Sequence, residues 1–209
     1  MNKGIAHILM TRLAGIRFID LYAGIVAIQE KEDLVQDRPD GPARKTLSKF
    51  PVSCDVIDYG KCPAEPGTLV TLGPHSTRKG ILYFEDNGTD LLKQTRTYNH
   101  YSSNLRLVVW LNTKYIDLNA CYELSMPVMT YIINKLTTNP FNQANYNSIL
   151  PQVSRIPKTS KDIFSAYTYD NAQRQYLMPP FEFFALDLKV TYSIHPKCLD
   201  EITIIEPSC

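Results

Sequence analysis

Two stretches of the chain carry apolar residues at the spacing of an α-helix. The first follows Asn2 and the second follows Ser125, and each of these residues is a suitable N-cap. The second stretch ends at Asn139 and Pro140, because proline does not continue a helix. The apolar positions are Ile5, Ile8, Leu9, Leu13 and Ile16 in the first stretch, and Val128, Met129, Ile132, Ile133 and Leu136 in the second. We therefore predict two main helices, each with one apolar face.

Most other apolar runs have the character of β-strands. Residues 17–30 and 50–59 are rich in β-branched and aromatic side chains, with Gly24 as a candidate bulge. Residues 105–111 are almost entirely apolar, which predicts a central strand buried on both faces. Residues 183–194 alternate between two sets of side chains, which indicates a strand with one buried face.

Several shorter segments complete the predicted sheet. Leu69, Val70 and Leu72 favour a short strand, and residues 163–169 favour another. Residues 81–92 predict a hairpin, because the sequence Asp86-Asn87-Gly88 in their middle is typical of a turn.

Polar segments near residues 31–49, 61–79 and 141–161 are predicted to be long interaction loops. Ile149, Leu150 and Val153 leave a strand open as an alternative within the third. The strands cluster instead of alternating with helices, which favours an α+β fold. We predict a mostly antiparallel β-sheet packed against two main helices, with residues 1–209 as a single structural domain.

The composition narrows the function classes. The chain has 209 residues, of which 44% are hydrophobic and 21% charged, which suits one globular domain. Lys and Arg number 22 and Asp and Glu 21, so a net charge of +1 offers no global attraction to nucleic acid or to an anionic membrane. We find no secretory signal and no run approaching the ~18 apolar residues of a membrane span. We therefore expect no membrane association and synthesis in the cytosol.

The five cysteines contain no CxxC pair, so a disulfide framework is not expected in a reducing compartment. Cys54 and Cys62 with His75 and His100 supply four potential zinc ligands, but they lack the tight spacing of structural zinc sites. We predict no metal site and no cofactor.

Catalytic motifs are also missing from the sequence. No phosphate-binding glycine loop, no HExxH and no GxSxG occurs, and we therefore predict a protein that is not an enzyme. Asp55 and Asp58 lie on opposite faces of an ideal strand, which disfavours a shared acid–base site. A small cytosolic hydrolase that uses a cysteine or a carboxylate remains the alternative, with His75 or His100 as the base.

Basic and aromatic residues in the loops and near the C-terminus are candidates for a subunit or partner interface. They are Arg38, Arg44, Lys45, Arg78, Lys79, Tyr98, Tyr101, Tyr176 and Phe181. Three interpretations are open for the basic loops: ordinary solvation, contact with single-stranded nucleic acid, or arms that reach a neighbouring subunit. The aromatic residues of the C-terminal stretch fit either a partner contact or a large aromatic core.

Residues 163–194 read IFSAYTYDNAQRQYLMPPFEFFALDLKVTYSI. This stretch resembles the end of tail-terminator and head–tail connector proteins of tailed bacteriophages, and the Asn- and Tyr-rich segments resemble virion proteins of crAss-like phages. Those small α+β domains also run from a helix through strands to a second helix and a closing strand. The long loops of this chain depart from the compact terminator pattern, so its position in the neck or tail stays open.

The resemblance implies a non-catalytic virion protein, assembled in the host cytoplasm, that forms a homo-oligomeric ring in the neck or tail. Its implied partners are the portal, other connector proteins or tail proteins. Basic loop residues would then face the channel and contact passing DNA without sequence specificity. The alternatives from other classes are the small hydrolase and a nucleic-acid-binding accessory protein.

Overall fold

The computed structural model describes residues 2–35, 44–59, 68–116, 123–143, 146–168 and 177–194. Four helices lie in these residues: α1 (Asn2–Leu13), α2 (Thr113–Ile116), α3 (Ser125–Thr137) and α4 (Ser160–Ile163). Ten strands accompany them: β1 (Leu21–Ile25), β2 (Ala27–Val35), β3 (Arg44–Ser53), β4 (Val56–Asp58), β5 (Val70–Thr71), β6 (Gly80–Gln94), β7 (Asn99–Asn112), β8 (Phe141–Gln143), β9 (Tyr146–Arg155) and β10 (Phe181–Ile194).

Seven strands form the larger of two sheets, in the order β4-β1-β6-β7-β10-β9-β8. Its neighbouring strands are antiparallel, except for β1 and β6, which run parallel. Strands β2, β3 and β5 form a separate antiparallel sheet. The predicted α+β class, with a mostly antiparallel sheet packed against two main helices, is confirmed.

One face of the larger sheet packs against α1 and α3. Apolar side chains at intervals of four residues bring one face of each helix onto the sheet. The buried helical positions include Ile5, Leu9 and Leu13 in α1 and Val128, Ile132 and Leu136 in α3. Each large aliphatic side chain contributes about 1.5–3 kcal/mol when it is fully buried instead of exposed. The burial of these two stripes therefore fixes both helices on the same side of the sheet.

The opposite face holds a second core that includes a cluster of aromatic rings. Trp110 of β7 stacks on Phe164 with the ring centroids 4.6 Å apart, and Phe183 of β10 lies 5.3 Å from Trp110. Tyr167 is buried in the same cluster, while Phe184 faces the first core. For these described members of the aromatic C-terminal stretch, the core interpretation holds.

The sequence Asp86-Asn87-Gly88 is a bulge within one long strand, and the predicted hairpin turn at this place is wrong. Strand β6 continues through it, and its pairing with β7 changes register between Asp86 and Thr89. Gly88 has φ +98°, which a residue without a Cβ adopts at little cost. The strands turn instead between Thr95 and Tyr98, where the Thr95 amide donates to the Tyr98 carbonyl at 2.9 Å.

Two of the three predicted loops contain long strands, so the loop predictions for residues 31–49 and 141–161 are wrong in their described parts. The strand left open at Ile149, Leu150 and Val153 is confirmed as part of β9. Residues 31–35 and 44–49 extend β2 and β3, while β8 and β9 occupy most of 141–155. Acidic side chains of β2 lie beside lysines of β3 on one face of this pair of strands. In the remaining predicted loop, residues 61–79, β5 lies where a short strand is predicted, and residues 61–67 are outside the described residues.

Two local predictions have opposite outcomes. The pairing of β1 with β6 shifts register between Tyr22 and Ile25, which confirms the bulge at Gly24. The strand predicted over 163–169 is wrong in its described part, residues 163–168. Helix α4 ends at Ile163, and a turn follows it. The hydroxyl of Thr159 accepts a hydrogen bond from the amide of Asp162, and this cap favours the helical turn.

Candidate interaction surfaces

Strands β2 and β3 form a two-stranded ribbon that leaves the larger sheet directly after β1. Successive residues of a strand point to opposite faces, so alternate residues share one face of the ribbon. We call one of these faces the outer face. Its accessible members are Ile28, Glu30 and Glu32 of β2 and Lys45, Leu47 and Lys49 of β3, and Pro51, the register partner of Ile28, is buried at the end of this face that adjoins the body.

The outer face exposes both apolar and charged side chains. Ile28 is 49% exposed and Leu47 45% exposed. The Glu30 carboxylate lies 2.6 Å from Nζ of Lys49, and that of Glu32 lies 3.0 Å from Nζ of Lys45. Exposed ion pairs of this kind stabilise a fold by only about 0–1 kcal/mol each. The outer face is therefore an uncovered surface whose charges contribute little to folding.

The opposite, inner face of β3 is covered by other parts of the chain. Ser48 and Val52 are buried, at 5% and 2% exposure. The amide of Thr168 donates a hydrogen bond to the carbonyl of Lys49 at 3.0 Å, which links the ribbon to the segment after α4. The ribbon is thus attached to the body through the inner face of β3, while residues 27–32 of β2 are exposed on both faces and the outer face of β3 is open from Lys45 to Lys49.

Residues 86–94 of β6 form a second exposed feature, which we call the free edge. Strand β1 pairs with β6 only as far as Phe84, and beyond it β7 is the only described strand beside β6. Every residue of the free edge is exposed, including Leu91 at 55% and Leu92 at 52%. The side chain of Asn2 bonds to Asp86 and Thr89 and so holds the start of this edge on α1. An unpaired strand edge offers backbone donors and acceptors to an added strand.

An open cavity of about 350 Å³ lies beside the end of the free edge, with Leu92, His100, Leu150 and Ser193 among its lining residues. The hydroxyl of Ser193 is 2.8 Å from Nδ1 of His100, and the two residues are register partners on β10 and β7. Ser193 is only 8% exposed. The pair links β10 to β7, and the described residues that line the cavity include no carboxylate that could orient His100 as a base.

A row of charged residues crosses the centre of the larger sheet. Glu85, Arg106 and Asp187 are register partners on β6, β7 and β10. Nε of Arg106 donates to Asp187 at 2.7 Å, and its Nη1 donates to the carbonyl of Asp162 at 2.8 Å. The hydroxyl of Tyr167 donates to Glu85 at 2.6 Å. The guanidinium thus joins two strands of the sheet to α4.

The electrostatics of this row are those of a buried structural cluster. Burial raises the pKa of Glu85, while the hydrogen bond from Tyr167 and the charge of Arg106 oppose that rise. The hydrogen bond to Asp187 raises the pKa of Arg106. A perturbed carboxyl pKa often marks a functional site. Here the cluster holds the segment after α4 against the sheet.

The sequence-predicted basic residues occupy different environments. Lys45 lies on the outer face, and Lys79 is in the segment before β6. The two terminal guanidinium nitrogens of Arg78, Nη1 and Nη2, each donate to one carboxylate oxygen of Asp58 at 2.8 Å, and both side chains are largely buried. Arg78 therefore stabilises the junction of β4 with this segment. Arg44 begins β3, and Arg38 lies outside the described residues.

The predicted aromatic interface residues are also divided. Tyr98 is 36% exposed at the turn after β6, close to the free edge. Tyr101 is half-buried and stacks on Tyr192 with centroids 5.7 Å apart, which gives it a packing role. Phe181 is half-buried at the start of β10, and Tyr176 lies outside the described residues.

The sequence did not predict the pairing of β2 with β3, which creates the outer face. Leu47 lies inside a segment predicted to be a loop, and Ile28 inside a segment predicted to be an ordinary strand. The available signal was the acidic residues at positions 30 and 32 and the lysines at positions 45 and 49. Opposite charges at alternate positions of two segments are typical of paired strands.

The zinc and hydrolase alternatives involve residues that the structure places in other contacts. Nδ1 of His75 is 2.9 Å from the Thr77 hydroxyl, Cys54 is exposed, and Cys62 is outside the described residues. Among the described residues, no three His, Cys, Asp or Glu side chains converge closely enough to hold a metal ion. No helix in the described part of the chain has the length and apolar character needed to cross a membrane.

Comparisons with protein-family models, with curated proteins and with solved structures found no match.

Proposed function

We propose that this chain is a structural subunit of a tailed-bacteriophage virion that assembles into a ring in the head–tail connector or at the tail end. The ring would join the portal and capsid to the tail around the DNA channel. The chain's work in this proposal is to bind copies of itself and neighbouring ring proteins, without catalysis.

The observation that carries the proposal is the free edge. It extends nine residues, from Asp86 to Gln94, with a backbone edge that no described strand covers. Such edges pair readily with another chain, and here charged residues and a bulge protect the edge around Asp86, Asp90 and Lys93 but not at the uncharged pair Leu91-Leu92. Leu91 and Leu92 expose apolar surface on this edge. A strand added from a neighbour would pair with the backbone and bury these side chains.

The remaining architecture is consistent with a ring subunit. The described elements run from a helix through strands to a second long helix and a closing strand, β10, with β8, β9 and the short helix α4 between the last two. This is the order that the phage resemblance implies. A closed ring requires two different surfaces on each subunit, one at each side. The free edge supplies one such surface, and the proposal does not depend on DNA contact.

The test measures the mass of the purified protein over a range of concentrations, with negative-stain images of any large species. We expect closed rings of the wild-type chain, alone or with purified portal or tail proteins. The variant Leu91→Lys with Leu92→Lys should fail to close rings, because two charges on an edge strand oppose strand addition.

A matched control places the same charge on a different exposed apolar residue. Met126, on α3, is 54% exposed, and Met126→Lys should assemble like the wild type. A chain that stays monomeric at every concentration and binds neither portal nor tail proteins would contradict the proposal. Normal rings of the double-lysine variant would show that the free edge is not the contact.

A further inference from the structure

The outer face of the ribbon arranges its charges by strand. Glu30 and Glu32 lie on β2, while Lys45 and Lys49 lie on β3. The face therefore consists of an acidic column beside a basic column. We propose that it packs against the outer face of a second copy of this chain, about a twofold axis parallel to the ribbon strands.

The layout of the charges selects this axis. Rotation about an axis parallel to the strands places the β2 column of one copy over the β3 column of the other. Rotation about an axis across the strands would place Glu30 and Glu32 over the same acids of the second copy, and like charges at an interface are unfavourable. Only the first arrangement brings each acidic column onto a basic one.

The pairing register sets which charges meet. Glu30 and Lys49 are register partners, so they lie at the same height along the ribbon. A twofold axis parallel to the strands preserves that height. Glu30 of each copy therefore faces Lys49 of the other, and four charges of alternating sign surround the axis. Each carboxylate gains a second lysine without losing the one it already contacts at 2.6 Å.

The exposed aliphatic residues lie on the same face. Ile28 and Leu47 are each about half exposed, and the inner face of β3 is already covered. Leu47 is level with Glu32, so in the proposed pair Leu47 of each copy lies over Glu32 of the other, beside the Glu32–Lys45 ion pair, and its side chain enters the layer between the two ribbons. The inward-facing positions of two packed sheets fill this layer in the same way.

The contact is small, and this sets its expected strength. A two-stranded ribbon offers less than the roughly 800 Å² per partner that is usual for stable complexes. We therefore expect weak, reversible association that decreases when salt is added, because its charges are partly exposed. This contact is additional to the contact between neighbouring subunits of the proposed ring. It joins two free copies as a dimer, or two rings face to face.

The experiment uses sedimentation analysis of the intact chain carrying Leu91→Lys and Leu92→Lys, in which rings do not form, as the reference, and adds two charge reversals to it, Glu30→Lys and Lys49→Glu. Each reversal alone should associate about tenfold more weakly than the reference, because its two copies present like charges to each other. An equimolar mixture of the two reversals should associate as the reference does. The lysines of one variant then face the glutamates of the other.

The mixture separates contacts between copies from contacts within one ribbon. Both variants lack the Glu30–Lys49 pair within the chain, and mixing cannot restore it. Recovery in the mixture therefore arises only from pairing between copies. Lys158→Glu is the matched control, since Lys158 is exposed outside the ribbon and its reversal should leave association unchanged.

Three outcomes would overturn the proposal: a reference chain that does not associate, single reversals that associate as the reference does, or a mixture that stays dissociated. If a reversal prevents folding, as circular dichroism would reveal, Glu30→Gln and Lys49→Gln replace it, and each should weaken association. Leu91→Lys with Leu92→Lys should abolish rings but retain this contact, so the two proposals fail separately.

Discussion

Tyr167 donates a hydrogen bond to the carboxylate of Glu85 at 2.6 Å, across 82 positions of sequence. Tyr167 lies in the turn after α4, while Glu85 lies at the centre of β6. Arg106 is 3.9 Å from the other oxygen of the same carboxylate. This bond joins the aromatic second core to the charged row, at the point where β6 leaves its partner β1.

Removal of this hydrogen bond should destabilise the protein. In Tyr167→Phe, the buried carboxylate of Glu85 loses a donor and gains no replacement, which costs about 1–3 kcal/mol of unfolding free energy. Urea denaturation at neutral pH measures the loss. Tyr115→Phe is the control, because Tyr115 is exposed and its substitution should have little effect. Equal stability of the two variants would contradict the prediction.

The raised pKa of Glu85 predicts how stability depends on pH. Burial makes the folded state hold the Glu85 proton more tightly than the unfolded state does. The contribution of Glu85 to the unfolding free energy therefore falls as pH rises from its ordinary pKa of 4.5 through the raised folded pKa. Glu85→Gln does not titrate, so its stability relative to wild type should increase over that range and then level off. Urea denaturation from pH 4 upward tests this, and a constant difference would contradict it.

Gly80 should not tolerate a side chain. A Cβ at this position would lie 2.6 Å from the Phe18 carbonyl oxygen and 3.0 Å from that of Trp110. Backbone atoms cannot move as a flexible side chain can, so Gly80→Ala should cost about 1–3 kcal/mol of unfolding free energy. A Cβ at Gly73 would meet nothing within 4 Å, and Gly73→Ala should change stability by less than about 0.5 kcal/mol. Thermal and urea denaturation of the pair provide the comparison.

The start of α3 depends on a residue of β10. The carboxylate of Glu182 accepts hydrogen bonds from the amides of Leu124 and Ser125 at 2.9 and 2.8 Å. The predicted role of Ser125 as N-cap is wrong, because its hydroxyl bonds to Glu123 and its residue is already helical. Glu182→Ala should cost about 1 kcal/mol of unfolding free energy, as the loss of a cap does. Glu182→Gln keeps an acceptor and Ser125→Ala keeps the cap, so both should cost less in denaturation experiments.

Local sequence patterns predicted the buried elements well. The apolar stripes of α1 and α3, the central strand over 105–111 and the strand over 183–194 are all present. The prediction of a single buried face for the last strand is wrong at its start, because Phe183 and Ala185 pack into the second core. Each of these segments has a face that must leave water, and that requirement fixes its periodicity regardless of its neighbours. The candidate surfaces were not predictable in this way. The ribbon strands are polar, and their stability depends on a cross-strand partner that a single segment does not reveal.

The sequence by itself determined the α+β class, the two main helices and the bulge at Gly24, because burial and backbone freedom are local properties of a segment. Tertiary structure alone decided that β6 passes through Asp86-Asn87-Gly88 and leaves a free edge. It also decided that Glu182 caps α3, and that the acids of β2 and the lysines of β3 share one exposed face. These features depend on which distant segments become neighbours, and that choice is made by the packing of the whole sheet.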